Sequence, residues 1–215
     1  MNILFLGNSF TFYNEMPEMF LNTAKENGKD VNVYSVTKGG HKLCEYLHLD
    51  DVYRKQFLNA VEKRKYDYIF IQDQSFEPIK FPERFLKSVR ELTEFLKDKT
   101  ENTVLYETWG YDKRCEKMKE NGWQDEKMSK DLSAAYKRAA EDNKLMLSPV
   151  GENFLKVYKK TKINLYAADF RHPSYEGSVL AMLTHYKTVF GELPEKTSNI
   201  TLTPKTLHTL KSAVE

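Results

Sequence analysis

The chain has 215 residues, 40% of them hydrophobic and 30% charged, enough to bury one substantial core, so a single globular domain over residues 1–215 is expected. Its 33 Lys and Arg against 31 Asp and Glu leave a formal charge of +2, both signs interspersed, which argues against a nucleic-acid or anionic-membrane surface. Cys44 and Cys115 lie far apart with no CxxC and no His cluster at ligand spacing, so neither a disulfide scaffold nor a metal site is expected, and no run approaches the roughly 18 apolar residues of a membrane span.

In chain order, short β-branched and aromatic runs alternate with longer segments of helical periodicity, the pattern of a parallel sheet covered by helices. Asn2 to Leu6 predicts the first strand. Its apolar part is too short for a signal-peptide core and lacks a basic flank, which favours a cytoplasmic location. Glu15 to Asn27 sets Met16, Met19 and Phe20 on one helical face, with Gly28 as the stop. Val31 to Val36 is the second strand, followed by a helical stretch over Leu43 to Arg64 that breaks near Leu49-Asp50-Asp51. Tyr68 to Gln72 is the third strand, and Pro82 to Lys99 carries a stripe of Phe85, Leu86, Val89, Leu92, Phe95 and Leu96. Val104 to Glu107 is the fourth strand. The polar connection from Lys113 to Gly122 reads as part of a lid. Helices over Glu126 to Asn143, Glu152 to Lys159 and Tyr175 to Phe190, a short strand at Leu145 to Leu147 and a terminal helix from Thr203 complete an α/β chain.

In an open α/β sheet, ligands bind beyond the carboxyl ends of the strands. After the first strand comes Gly7-Asn8-Ser9; after the second, Thr37-Lys38-Gly39-Gly40-His41; after the third, Asp73-Gln74-Ser75; after the fourth, Thr108-Trp109-Gly110. Ser9 reads either as a helix N-cap or as a nucleophile, and a helix N-terminus is also where unpaired N–H groups can hold an oxyanion. His172 stands apart from His41, His48, His185 and His208. Asp169 precedes it by three residues, so one turn can bring a carboxylate to one ring nitrogen and leave the other free for a proton. A serine, a glycine-rich loop and an Asp/His pair together form the set a serine hydrolase needs.

These residues resemble the SGNH, or GDSL-type, hydrolases. "FLGNSFT" (Phe5 to Thr11) resembles the first block of that family, "KGG" (Lys38 to Gly40) the second, and "DFRHPS" (Asp169 to Ser174) the DxxH block. The resemblance implies a three-layer α/β/α, flavodoxin-like sandwich around a parallel sheet of about five strands. It also implies a catalytic set of Ser9, Asp169 and His172, with an oxyanion hole built from the Ser9 and Gly40 N–H groups and a side-chain amide. The third block departs from the family's Gly-x-Asn-Asp: the strand ends Phe70-Ile71-Gln72-Asp73, so Gln72 is the expected amide donor and Gln74 its competitor.

The activity implied is two-step acyl transfer to water from an O-acyl, chiefly O-acetyl, ester on a carbohydrate or small molecule, without metal or cofactor. Phe12, Tyr13, Trp109 and Tyr111 are either platforms for a sugar ring or core packing. An α/β-hydrolase elbow fits less well, because only a handful of residues precede Ser9. A non-catalytic module holding a glycan or anion in the same loops is the rival reading; the sequence has neither GxGxxG nor GxxxxGK[ST].

Overall fold

A computed structural model describes residues 1–215, excepting the side chain of Asp125. Five parallel strands, β1 (Asn2–Gly7), β2 (Asn32–Thr37), β3 (Tyr66–Ile71), β4 (Thr100–Tyr106) and β5 (Met146–Ser148), stand in the order 2-1-3-4-5. The register sets Phe5 of β1 opposite Ser35 of β2 and Phe70 of β3. The chain runs from β1 outward to β2, then crosses back to β3 on the other flank. The C-terminal ends of β1 and β3 therefore part their connections and leave a crevice.

Both faces of the sheet are buried, and the two-residue period of the strands sorts their side chains. Ile3, Phe5, Phe70, Val104 and Tyr106 enter one apolar layer, while Leu4, Leu6, Ile69, Ile71 and Leu105 enter the other. A short α1 (Ser9–Phe12) follows β1 and leads through one 3₁₀ turn (Tyr13–Glu15) into α2 (Met16–Glu26). The stretch after β2 splits as expected into α3 (Glu45–His48) and α4 (Val52–Lys63), with the Asp51 carboxylate accepting from Arg54 N at 2.8 Å as N-cap. Then come α5 (Glu77–Lys80) and α6 (Pro82–Leu96), α7 (Glu116–Glu120) inside the polar connection, α8 (Asp125–Asn143), α9 (Val150–Lys160), α10 (Tyr175–Phe190) and α11 (Pro204–Val214). Helices α2, α9, α10 and α11 cover the first layer and α4 and α6 the second, while α8 reaches both, with Met128 and Leu132 in one and Tyr136 and Ala139 in the other. This is the α/β/α sandwich expected. Among the described residues no helix is long and apolar enough to cross a membrane.

Candidate active site

The loop after β1 is built around a close approach. A Cβ on Gly7 would lie 2.3 Å from Thr11 Oγ1 and 2.6 Å from Gln72 Oε1, so a side chain there would push apart the Thr11–Gln72 hydrogen bond that backs the loop. Asn8, not Ser9, is the cap of α1: its Oδ1 accepts from Phe10 N at 3.1 Å. Ser9 is the first helical residue, and its hydroxyl is free for another partner.

That partner is His172. Ser9 Oγ lies 2.8 Å from His172 Nε2, and His172 Nδ1 is hydrogen-bonded to Asp169 Oδ2. An ionised carboxylate only accepts, so Nδ1 carries the hydrogen and Nε2 is left to accept from the serine. Asp169 is well suited to remain ionised. Burial pushes its pKa up, but hydrogen bonds from the His172 ring and N–H and from Arg171 outweigh this and hold the carboxyl well below the usual carboxylate range. His172 is also held from both sides, with Tyr13 stacked on it at 4.4 Å between ring centroids and Phe10 meeting it edge-on at 5.5 Å.

Carboxylate pairing alone does not mark this histidine. His41 Nδ1 lies 3.0 Å from Glu45, and His48 Nε2 lies 2.9 Å from Glu91, pairs that the chain pattern did not reveal. Neither shows a serine on its other ring nitrogen among the described residues.

The three loops at the strand ends are tied together by buried polar groups. Asn8 Nδ2 donates to His41 O at 2.9 Å, and the Asp73 carboxylate accepts from Leu43 N at 3.0 Å and Gln74 N at 2.7 Å. Burial raises the Asp73 pKa to about 7 against these bonds. Gly40 takes φ +71° in the turn closed by His41 N to Lys38 O at 3.0 Å, a conformation that favours glycine. Neither Ser9 N nor Gly40 N donates to a protein acceptor among the described residues. Both residues line a cavity of about 370 Å³ together with Asn8, Phe10, Tyr13, Gly39, Gln74, Ser75, Tyr111, Lys117, Arg171 and His172.

Gln72, expected to donate into this cavity, does not line it. It is fully buried; its Nε2 donates to Asn8 Oδ1 at 3.1 Å and to the Asp73 carbonyl, and its Oε1 accepts from Asn8 N at 3.0 Å and Thr11 Oγ1 at 2.9 Å. The side chain is spent on shaping the serine loop from behind. Gln74, two residues on, faces the cavity, and its Nε2 donates to Ser75 Oγ at 3.1 Å with its second hydrogen unpaired among the described residues. Trp109 is no platform either. It is fully buried, stacked between Phe10 (4.3 Å) and Phe154 (4.1 Å), and its Nε1 donates to Arg171 O at 3.0 Å, tethering the histidine loop. Tyr13 and Tyr111 line the cavity, whereas Phe12 is exposed without lining it.

Sequence reasoning passed over Asn14, whose backbone adopts φ 52° and whose Nδ2 donates to Ser178 Oγ at 2.8 Å and Ser174 O at 3.0 Å. It joins the serine segment to the start of α10, just beyond His172. An isolated asparagine after two aromatics gives no sequence signal for that.

No family model matches the sequence, and no curated protein matches it. Among solved structures, a protein from Slackia heliotrinireducens assigned to the SGNH hydrolases is 31% identical, covering 88% of this chain and 98% of its own, with a TM-score of 0.79. The chain belongs to the SGNH hydrolase family. The SGNH hydrolase fold recurs more distantly in a DUF4886 family protein from Bacteroides uniformis (17% identity, 100% of this chain and 93% of that one, TM-score 0.79). It recurs also in a variant of Axe2, an acetyl xylan esterase from Geobacillus stearothermophilus (13% identity, 91% and 97% covered, TM-score 0.67).

Proposed function

We propose that this SGNH hydrolase is a serine esterase that removes short acyl groups, chiefly acetyl, from a carbohydrate or small-molecule alcohol. The observation that carries the reading is the unbroken hydrogen-bonded line from Asp169 through His172 to Ser9 Oγ, opening on a cavity. A module that merely bound a glycan would have no use for a serine hydroxyl aligned on an imidazole whose tautomer is fixed from behind.

In the first step Ser9 Oγ bonds to the ester carbonyl carbon while its proton passes to His172 Nε2. The tetrahedral intermediate collapses as the C–O bond to the alcohol breaks and His172 returns the proton to the leaving oxygen. Water then repeats the sequence on the acyl-Ser9 ester, releasing the acid and restoring the serine. Asp169 stays ionised throughout and stabilises the imidazolium. The Ser9 and Gly40 N–H groups and the Gln74 amide hold the oxyanion; Gln74 takes the place expected of Gln72 because it is the one that reaches the cavity. Each such donor contributes about 3 kcal/mol to the transition state.

The test is hydrolysis of phenyl acetate together with labelling by a fluorophosphonate. The wild-type chain is expected to turn over the ester and to carry the label on Ser9, and Ser9→Ala is expected to lose both. Equal rates for the two proteins, or a label on another residue, would refute the assignment.

A further inference from the structure

The catalytic cavity carries an uneven charge. Of the residues that line it, Lys117 and Arg171 bear full positive charges and none bears a carboxylate. Neither cation is fully spent. Lys117 has no carboxylate partner among the described residues; its Nζ lies over the Phe76 ring at 5.6 Å. Arg171 gives its Nε to Asp169 at 2.9 Å, and its terminal N–H groups have no acceptor among the described residues. Nearby Arg114 makes the contrast: its Nε and one terminal nitrogen both donate to Asp112, at 2.8 and 2.9 Å, in a two-pronged pair.

The placement is also fixed. The Arg171 backbone is held by Trp109 Nε1 at 3.0 Å and that of Phe170 by Asp112 N at 3.0 Å, so the guanidinium springs from an anchored loop beside His172. Lys117 comes from α7, in the polar connection read from the sequence as a lid. Glu116 and Glu120 of the same helix line an adjoining cavity of about 380 Å³, which Lys117, Arg171 and Asp169 also border; the two cations thus stand between the cavities, and only on the catalytic side do they meet a lining without carboxylates. Lys117 and the terminal N–H groups of Arg171, on a cavity wall whose own lining holds no carboxylate, are placed to attract an anion.

We propose that the ester turned over at Ser9 carries a carboxylate, bound by Lys117 and the free arm of Arg171. This rests on the esterase reading above and adds the class of substrate. The carboxylate can belong to the alcohol, as in an acetylated sugar acid, or to the acyl group, as in a dicarboxylic half-ester; in both the recognising chemistry is the same.

Two matched pairs of probes separate these sources: phenyl acetate against 4-acetoxybenzoate, and 4-nitrophenyl acetate against 4-nitrophenyl hemisuccinate. In at least one pair kcat/KM for the charged ester is expected to exceed that for the neutral one by about tenfold or more at low salt, and the preference should shrink at about 0.5 M salt. Lys117→Glu should reduce or invert that ratio, and Arg171→Gln should reduce it. The pair that shows the preference identifies where the carboxylate sits. Ratios at or below one in both pairs, or a preference indifferent to salt and to Lys117→Glu, would overturn the proposal while neutral-ester turnover kept the esterase reading intact. Absence of turnover for all four esters with Ser9 unlabelled by the fluorophosphonate would instead overturn both.

Discussion

The molecule contains two Ser–His pairs, and they differ in every respect that matters for chemistry. Ser148 Oγ lies 2.8 Å from His185 Nδ1, the same separation as Ser9 Oγ from His172 Nε2. Yet His185 is wholly enclosed among Phe5, Phe70 and Tyr106, its Nε2 has no hydrogen-bond partner among the described residues, and burial drives its pKa down from 6.5 to about 3. His172 has a carboxylate on its second nitrogen and opens on a cavity lined by unpaired N–H donors. The hydrogen bond alone is packing. A carboxylate behind the ring and space in front of the serine are what let a proton move usefully.

The sharpest way to break this contrast is to remove each serine in turn. Ser9→Ala should cut turnover of an aryl acetate by about 10³-fold or more at unchanged stability, since its hydroxyl faces the cavity. Ser148→Ala should leave kcat within about twofold and instead lower the unfolding free energy by roughly 1–3 kcal/mol, because it takes a hydrogen-bond partner from a buried imidazole. Rates and thermal unfolding measured on both variants decide it; a large kcat loss in Ser148→Ala would mean that the buried pair takes part in the reaction.

The oxyanion side offers a second pair for comparison, Gln74 against Gln72. Gln74→Ala should lower kcat by about 10²-fold with little change in Tm, as the loss of one donor of about 3 kcal/mol requires. Gln72→Ala should show itself mainly in Tm, since it leaves Asn8 N and Thr11 Oγ1 without their buried acceptor. The reverse pattern would return the donor role to Gln72.

Much of this site could be read from the chain because its parts lie at predictable places. The alternation of apolar runs with helical stripes defined the layers, and parallel topology then places the ends of β1, β2 and β3 together, so Ser9, Gly40 and the Asp169–His172 turn could be named without coordinates. Boundaries slipped where local signals compete: β4 begins at Thr100, in a polar stretch whose strand character comes from pairing with β3 at Tyr66 and Tyr68. The choice between Gln72 and Gln74 was not legible, because it turns on where β3 stops. With the strand ending at Ile71, Gln72 points back under the serine loop, and Asp73 turns the chain so that Gln74 faces the cavity. Asn14 escaped notice because its role joins segments far apart in the chain, Ser178 lying 164 residues on.

Asn14 gives a smaller effect that tests how firmly the Ser9–His172 pair is held. Asn14→Ala removes the bonds to Ser178 and Ser174 and places a poorly suited residue at φ 52°. A loss of kcat of roughly tenfold is expected, because the Tyr13–His172 stack is set by the same segment and small misplacements are costly. Asn14→Gly relieves the backbone but not the hydrogen bonds. If it recovers full activity, the backbone conformation and not the carboxamide positions the histidine.

The smallest effect lies in the pH dependence of stability and belongs to the buried pair. Because His185 is buried neutral, between about pH 6.5 and pH 3 the unfolded chain holds a proton there that the folded chain does not. Its contribution is therefore present above pH 6.5 and is lost as the pH falls toward 3. His185→Leu, which keeps the site apolar, should unfold with a shallower acid dependence than wild type across that window, whatever its absolute Tm at neutral pH. Subtracting the two Tm profiles cancels the carboxylates common to both, including buried Asp73 and Glu107, whose raised pKa values act in the opposite sense. Parallel profiles would mean that the imidazole takes up its proton in the folded chain as readily as in the unfolded one, and burial would then not be what holds His185 neutral.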